Sequence, residues 1–220
     1  NSQIDAERKL SLFKGIGGNT NQKTSKLYKL AVDDIESAQS IFSIASNDND
    51  YSNTIIKYED SALKSQLGYN LLSIDSRREY LIKESVLPNG DDNDTEILDL
   101  QNGAYIYLGE EDWINASSTA AFAVSKLDKL EALLAYAKAQ ESLNKAKEKG
   151  YNNSKADIYN EASKSLSNAS YSLKTEDYSN SLMHSKNVIA LVNTMGTTDS
   201  KGMKTAETKT TKETIFTGEF

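Results

Sequence analysis

The chain has 220 residues, a formal net charge of −7 and no cysteine. A net acidic surface argues against a nucleic-acid-binding protein, because contacts to phosphates need clustered lysine and arginine. The lack of cysteine excludes disulfides, thiol nucleophiles, zinc fingers and iron–sulfur clusters. One proline and 11 glycines leave few breaks, which favours long helices over a β fold.

The first predicted element is a short helix with a glycine-rich hinge over residues 1–23, the glycines falling in Gly15-Ile16-Gly17-Gly18. Apolar residues then recur every three or four positions, which is typical of amphipathic helices. A helix is predicted over 27–45, and a second over 51–87 ends at the only proline. We expect a bend in the second helix near Gly68 or near Ser73–Ser76.

Four further helices are predicted after the Pro88 loop. The third starts near Thr95, and the fourth, over 111–149, is the most apolar and is expected to be central. The fifth begins at a capping box, Ser154-x-x-Asp157, and Thr175-Glu176-Asp177 caps the sixth. Residues 196–220 are rich in Thr and Lys and are predicted to be an extended linker or tail.

The sequence therefore predicts an all-α fold of about six helices in a repeat domain over 24–195. The helices pair as three antiparallel hairpins, at about 24–87, 94–149 and 153–195. The pattern is compatible with two arrangements of these hairpins, an open stacked array and a closed bundle.

A short motif recurs at the predicted start of the second helix of each hairpin. Its copies are Asp50-Tyr51-Ser52-Asn53, Asp112-Trp113-Ile114-Asn115 and Asp177-Tyr178-Ser179-Asn180. Aspartate is one of the residues preferred at the N-cap position of a helix. The aromatic ring that follows it can pack on the preceding helix. We interpret the Asp and aromatic residues as a repeat clamp that fixes each hairpin angle.

These joints resemble those of tetratricopeptide repeats, in which a small turn and an Asp-Tyr pair lead into a second helix. Small residues follow three positions after each aromatic residue, at Thr54, Ala116 and Ser181, and Ala104 and Ala169 match small positions of the first helix. The resemblance is confined to the joints, since the motif spacing here is nearly twice that family's period of about 34 residues. It implies binding of a peptide or protein on a groove of a helical array.

Catalytic chemistry has little support in the sequence. His184 is the only histidine, so one chain cannot assemble a histidine metal cluster or a Ser-His-Asp triad. The carboxylates are spread over predicted solvated faces rather than converging in a cleft. We predict no enzyme activity and no cofactor.

One acidic loop offers oxygen ligands of the kind that calcium favours, at Asp91, Asn93, Asp94 and Asp99. It lacks the glycine at position six and the glutamate at position twelve of an EF-hand, so a solvated loop with a helix cap is the favoured interpretation.

Four Asn-x-Ser/Thr acceptors, at Asn93, Asn115, Asn152 and Asn168, would allow glycosylation if the protein is exported. The sequence contains no apolar run of about 18 residues, so no membrane insertion is predicted within it. Because it starts without Met, a signal peptide or membrane anchor could lie outside the segment.

The first functional hypothesis is a non-catalytic structural or protein-binding domain, the part of an exported cell-surface protein that lies outside the membrane. The alternatives are an intracellular tetratricopeptide-like adaptor that binds a peptide or protein, and a small-ligand sensor domain. The sensor requires a pocket with converging polar groups.

Overall fold

The computed structural model of the chain describes the backbone of residues 1–213 and the side chains of residues 1–197. This part of the chain is helical and contains no strand, which confirms the all-α class. Eight helices lie in it, rather than the predicted six: α1 (Ser2–Gly15), α2 (Ser25–Ile44), α3 (Asp48–Lys83), α4 (Asp92–Gly109), α5 (Trp113–Glu148), α6 (Tyr151–Ser154), α7 (Ala156–Lys174) and α8 (Tyr178–Glu213). Two of them lie outside the three predicted hairpins: α1, which corresponds to the short N-terminal helix that the sequence predicts, and the one-turn α6, which it does not predict.

The chain divides into two compact units within α5, between Leu127 and Asp128. The first unit, Asn1–Leu127, holds α1 to α4 and the start of α5. The second, Asp128–Phe220, holds the rest of α5 and the helices that follow it.

In the first unit α2 and α3 form an antiparallel hairpin. The hydroxyl of Ser61 donates to the carbonyl oxygen of Ala31 at 2.7 Å, and nearer the turn the rings of Phe42 and Tyr51 are in contact. Helix α1 packs against α3 and α2, and its Ala6 side chain is fully buried with Ala38 of α2. Helix α1 is therefore a third member of this core and not an appendage to it.

Phe13 of α1 is the side chain around which this core closes. It is fully buried in a cluster with Leu27, Leu67 and Leu71. Its ring lies directly on Gly68, where an added Cβ would be 2.1 Å from Cζ of the ring. Helix α3 runs uninterrupted through Gly68, and the missing Cβ of this glycine leaves room for the ring.

The predicted glycine-rich hinge forms a turn with defined hydrogen bonds. The amide of Gly18 donates to the carbonyl oxygen of Phe13 at 3.0 Å, and Gly17 has a φ of +88°, a region that favours glycine. Gly18 is buried against the Phe13 ring, which would lie 2.2 Å from an added Cβ. The turn thus helps to hold α1 in the core.

Helices α4 and α5 form the second predicted hairpin. Lys126 of α5 pairs with Glu96 near the start of α4 at 2.7 Å, whereas Thr119 lies beside Gly103 further along α4, so the helices run antiparallel. Ala104, Ala116 and Ala120 are fully buried between them and the Phe13 cluster. Small residues at these positions allow the helix backbones to approach closely.

Helices α7 and α8 form the third hairpin in the second unit. The side-chain amide of Asn187 donates to the Ser165 hydroxyl at 2.9 Å. At the far end of the pair, Lys155 Nζ donates to the carbonyl oxygen of Met195. A second apolar cluster includes Ala139, Leu143, Ala162, Val188 and Met195. Helices α7 and α8 therefore also run antiparallel.

Two predictions about the second unit differ from the structure. Ser154 does not cap α7: its hydroxyl donates to the Gly150 carbonyl oxygen within α6, and Lys155 precedes α7 without a side-chain cap. Gly150, at the predicted end of α5, has a φ of +75°, and the one-turn helix α6 begins directly after it. The predicted tail at 196–220 starts inside α8, which is helical to Glu213, and residues 214–220 lie outside the described residues.

Among the helices of the described residues, none is both long and apolar enough to span a bilayer.

Candidate functional site

The repeat clamp has the same geometry at two of its three predicted copies. At the α4–α5 joint the backbone amide of Asp112 donates to the carbonyl oxygen of Tyr107 at 3.0 Å. At the α7–α8 joint the backbone amide of Asp177 donates to the carbonyl oxygen of Ser172 at 2.8 Å. The preceding Glu111 and Glu176 have φ values of 59° and 58°. Both joints therefore end the first helix in a left-handed turn of the Schellman type.

The same aspartates then begin the next helix. Asp112 accepts hydrogen bonds from the amide and the side chain of Asn115, at 3.1 and 2.6 Å, and Asp177 accepts the same pair from Asn180 at 3.1 and 2.6 Å. The Asn180 hydrogen bonds, the side-chain one first, hold the pKa of Asp177 below its usual value. The Asn at the end of the motif is thus the partner of the capping Asp.

The first copy of the motif is built differently. Asn47 caps α3 by accepting from the amides of Asn49 and Asp50. Asp50 lies inside the first turn, where its carboxylate accepts from the Ser46 amide at 3.0 Å and the Asn47 side chain at 2.9 Å. The prediction that Asp50 caps this helix is wrong, because α3 starts at Asp48, before the motif.

The aromatic members of the clamp also differ in environment. Trp113 is partly buried against the Phe13 cluster, whereas Tyr51 is 46% exposed. Tyr178 is half-buried. The small residues that follow the aromatic ones are all buried, namely Thr54, Ala116 and Ser181.

The acidic loop is organised by a buried ion pair. Asp94 is fully buried and accepts from Arg78 of α3 through Nε at 2.8 Å and Nη2 at 2.7 Å, while its other oxygen accepts from the Gly90 amide at 2.9 Å. Asp91 caps α4 by accepting from the Asp94 amide at 2.8 Å. The other calcium candidates, Asn93 and Asp99, are exposed.

The described part of the chain has no arrangement of side chains that supports metal binding or catalysis by histidine. No group of three or more His, Asp or Glu side chains there is placed to hold a metal ion. His184 is half-buried on α8.

Three of the glycosylation acceptors lie in first turns of helices, Asn93 in α4, Asn115 in α5 and Asn152 in α6, and Asn168 lies within α7. Three of the four are exposed, and Asn152 is half-buried.

An apolar patch lies where α2 ends and α3 begins. We define it as Phe42, Tyr51 and Ile55, which are 60%, 46% and 47% exposed. The rings of Phe42 and Tyr51 meet edge to face with centroids 6.0 Å apart. All three side chains line a groove of about 270 Å³, whose other lining residues are Asn1, Ser2, Gln3, Thr54 and Tyr58.

The sequence pattern did not identify this patch as surface. Phe42 shares an apolar face with the buried residues of α2, and Tyr51 and Ile55 form one of two apolar stripes on α3. Two stripes predict burial on two sides, and both reach the core: Leu67, Leu71 and Ile74 of one stripe are buried, as are Tyr58 and Ala62 of the other. The Tyr51 and Ile55 end of its stripe stays exposed. Helix α3 has more apolar positions than one core face can bury, and this excess was the sequence signal of an exposed apolar patch.

A larger cavity lies in the first unit, and we call it the lysine cleft. Its volume is about 480 Å³. It is formed by residues from the start of α2, the second half of α4 and the start of α5, namely Lys23, Lys26, Leu27, Leu30, Asn102, Tyr105, Leu108, Gly109 and Trp113. No local sequence pattern marks it, because its walls come from segments far apart in the chain.

The charges at the lysine cleft are partly paired. Lys23 Nζ lies 5.1 Å from the ring centroid of Tyr105, and Lys26 Nζ lies 3.2 Å from Glu111 Oε1 in an exposed pair. Burial, and in second place the charge of Asp75, raises the pKa of Tyr105. The Tyr105 hydroxyl is therefore a protonated donor at neutral pH.

A buried ionic network adjoins the tryptophan of the cleft. Asp34 of α2 pairs with Lys64 and, at 3.3 Å, with Lys57, both on α3. Lys64 Nζ also lies 5.7 Å from the ring centroid of Trp113. This network ties α2 to α3 next to one wall of the cleft.

No protein-family model, curated protein or solved structure matches the chain. Function must therefore be inferred from the residues themselves.

Proposed function

We propose that the chain is a non-catalytic helical domain that binds a protein partner through the apolar patch of its first unit. The observation that carries this proposal is the exposed contact between Phe42 and Tyr51 at the edge of a groove. Large apolar side chains that are exposed together mark interaction sites on soluble proteins. Aromatic side chains in particular are enriched at the energetic centres of such sites.

The surroundings of the patch favour a partner with basic residues beside an apolar face. Asp48 and Glu59 are exposed on α3, three positions before Tyr51 and four after Ile55, so they lie on the same side of the helix. Burial, and in second place the charge of Glu7, raises the pKa of Tyr58 in the groove. An amphipathic helix with lysine or arginine flanking its apolar side complements this surface.

A fluorescent amphipathic peptide of leucine and lysine tests the proposal by anisotropy, with a peptide of leucine and glutamate for comparison. We expect the basic peptide to bind at least about tenfold more tightly than the acidic one. The variant carrying Phe42→Ser and Ile55→Ser is expected to lose this binding while keeping its melting temperature, since both side chains are exposed.

Phe122→Ser is the matched control, because Phe122 is 65% exposed on α5 and lies outside the patch. It is expected to bind the basic peptide as the wild type does. Equal binding of the two peptides, or unchanged binding by the Phe42 and Ile55 variant, would overturn the proposal.

The identical hydrogen bonds at the α4–α5 and α7–α8 joints support a helical repeat, and with it the tetratricopeptide-like alternative of an adaptor inside the cell. We place the domain outside the cell or at its surface instead, because three of its four glycosylation acceptors are exposed.

Mass spectrometry of the protein from its native source distinguishes the two compartments. We expect a glycan mass on at least one of Asn93, Asn115 and Asn168. Unmodified asparagine at all four acceptors, including the half-buried Asn152, would favour the intracellular adaptor.

A further inference from the structure

The lysine cleft combines an apolar interior with a cationic mouth. Leu27 is 2% exposed and Leu30, Leu108 and Trp113 are partly buried, so an apolar group that enters the cleft meets aliphatic and aromatic surface. Its volume of about 480 Å³ lies within the range of about 300–1,000 Å³ that is usual for small-molecule sites.

The charge at the mouth differs in sign from that of the whole chain. Lys23 and Lys26 line the cleft, and Glu111 offsets Lys26. Within the described residues no carboxylate pairs with Lys23, whose ammonium group instead lies over the ring of Tyr105. The three charges leave one net positive charge at the mouth, in a chain of net charge −7.

We propose that the lysine cleft binds a small organic monoanion, a carboxylate carried on an aromatic or aliphatic body. The body packs on Leu27, Leu30 and Trp113, and the carboxylate accepts hydrogen bonds at the mouth from Lys23 and Lys26. One negative charge matches the net charge of the mouth, whereas a dianion would lack a counter-charge. This site is independent of the apolar patch proposed to bind a protein.

Trp113 is the only tryptophan, so its fluorescence reports directly on the cleft. The full chain is titrated with 4-phenylbutyrate, 4-phenylbutanol and 4-phenylbutylamine, which share a body and differ in charge. We expect saturable changes in Trp113 emission with the carboxylate, at least about tenfold weaker binding of the alcohol, and weaker binding still of the amine.

Two variants separate the charge from the cavity. The double variant Lys23→Ala, Lys26→Ala is expected to bind the acid and the alcohol equally, and Lys29→Ala, an exposed lysine of α2 outside the cleft, is the matched control. Gly109→Leu is expected to lower binding of both ligands, because Gly109 lines the cleft and an added Cβ there meets no atom within 4 Å. The backbone at position 109 can therefore accept a Cβ without a clash.

Equal affinity for the acid and the alcohol in the wild type would overturn the proposal, as would no saturable binding at all. Binding of the acid that stays tighter than binding of the alcohol in the double lysine variant would also overturn it. The variant Phe42→Ser, Ile55→Ser is expected to bind 4-phenylbutyrate normally, so failure here and failure of the protein-binding proposal are distinguishable.

Discussion

Replacing Gly68 with alanine is expected to destabilise the first unit by about 1–3 kcal/mol, although alanine is the better helix former. An added Cβ at Gly68 would lie 2.1 Å from Cζ of Phe13. The ring cannot move aside easily, since it is fully buried and also lies against Gly18. Urea unfolding followed by circular dichroism measures the loss.

Gly103→Ala in α4 is the matched control. An added Cβ at Gly103 would meet the Thr119 methyl group at 3.5 Å, an ordinary contact. This variant is therefore expected to gain up to about 1 kcal/mol, the usual difference between glycine and alanine inside a helix. The two substitutions are the same chemically, so opposite signs isolate the contact with the ring.

A smaller side chain at position 13 tests the cause. Phe13→Ala alone is expected to cost about 3–5 kcal/mol because it leaves a cavity. In the Phe13→Leu background, Gly68→Ala is expected to cost much less than in the wild type, since the atoms that clash are absent. A Gly68→Ala variant that is as stable as Gly103→Ala would contradict this packing.

Removing the Asp94 carboxylate is expected to cost about 3–5 kcal/mol, the second large effect. Asp94 is fully buried, and the Arg78 side chain that it pairs with is 14% exposed. Asp94→Ala would leave a largely buried guanidinium without its counter-charge and the Gly90 amide without its acceptor. Asp99→Ala, an exposed carboxylate of the same helix, is the control and is expected to change stability by less than about 0.5 kcal/mol.

The same loop is expected not to respond to calcium. Both oxygens of Asp94 already accept hydrogen bonds, and the Arg78 guanidinium occupies the position next to the carboxylate. Thermal unfolding with millimolar calcium is therefore expected to match unfolding with a chelator. A rise in melting temperature that depends on calcium and disappears in Asp91→Ala would show that the loop binds the ion.

Local patterns predicted the helices and two of the three clamp joints well. The three-and-four spacing located α2, α3, α5 and α7, because each of these has at least one face in a core. The Asp-aromatic-x-Asn motif located the joints at Asp112 and Asp177, because a cap and its partner lie within one helical turn. The same motif misled at Asp50, where Asn47 starts the helix earlier.

Contacts between distant residues were beyond these patterns. Phe13 and Gly68 are meaningful only together, and nothing in the neighbourhood of either indicates the other. Gly68 was therefore assigned to a bend and Asp94 to a solvated loop, although each is part of the core. The lysine cleft was missed for the same reason, since Lys23, which precedes α2, and Tyr105 of α4 are far apart in the chain.

The spacing of apolar residues also does not show which of them are exposed. The apolar spacing of Phe42, Tyr51 and Ile55 is that of core residues, and only the packing of neighbouring helices decides which part of each apolar stripe of α3 is covered. A surface that has core-like spacing but remains exposed is the feature on which the proposed function rests.

Chemical-shift mapping of the isotope-labelled chain with the leucine–lysine peptide shows which residues the peptide contacts. We expect the largest amide shifts within residues 40–58, around the apolar patch, and we expect Phe42→Ser to remove them. Shifts that concentrate in α7 and α8, or that persist unchanged in the variant, would contradict the proposed function.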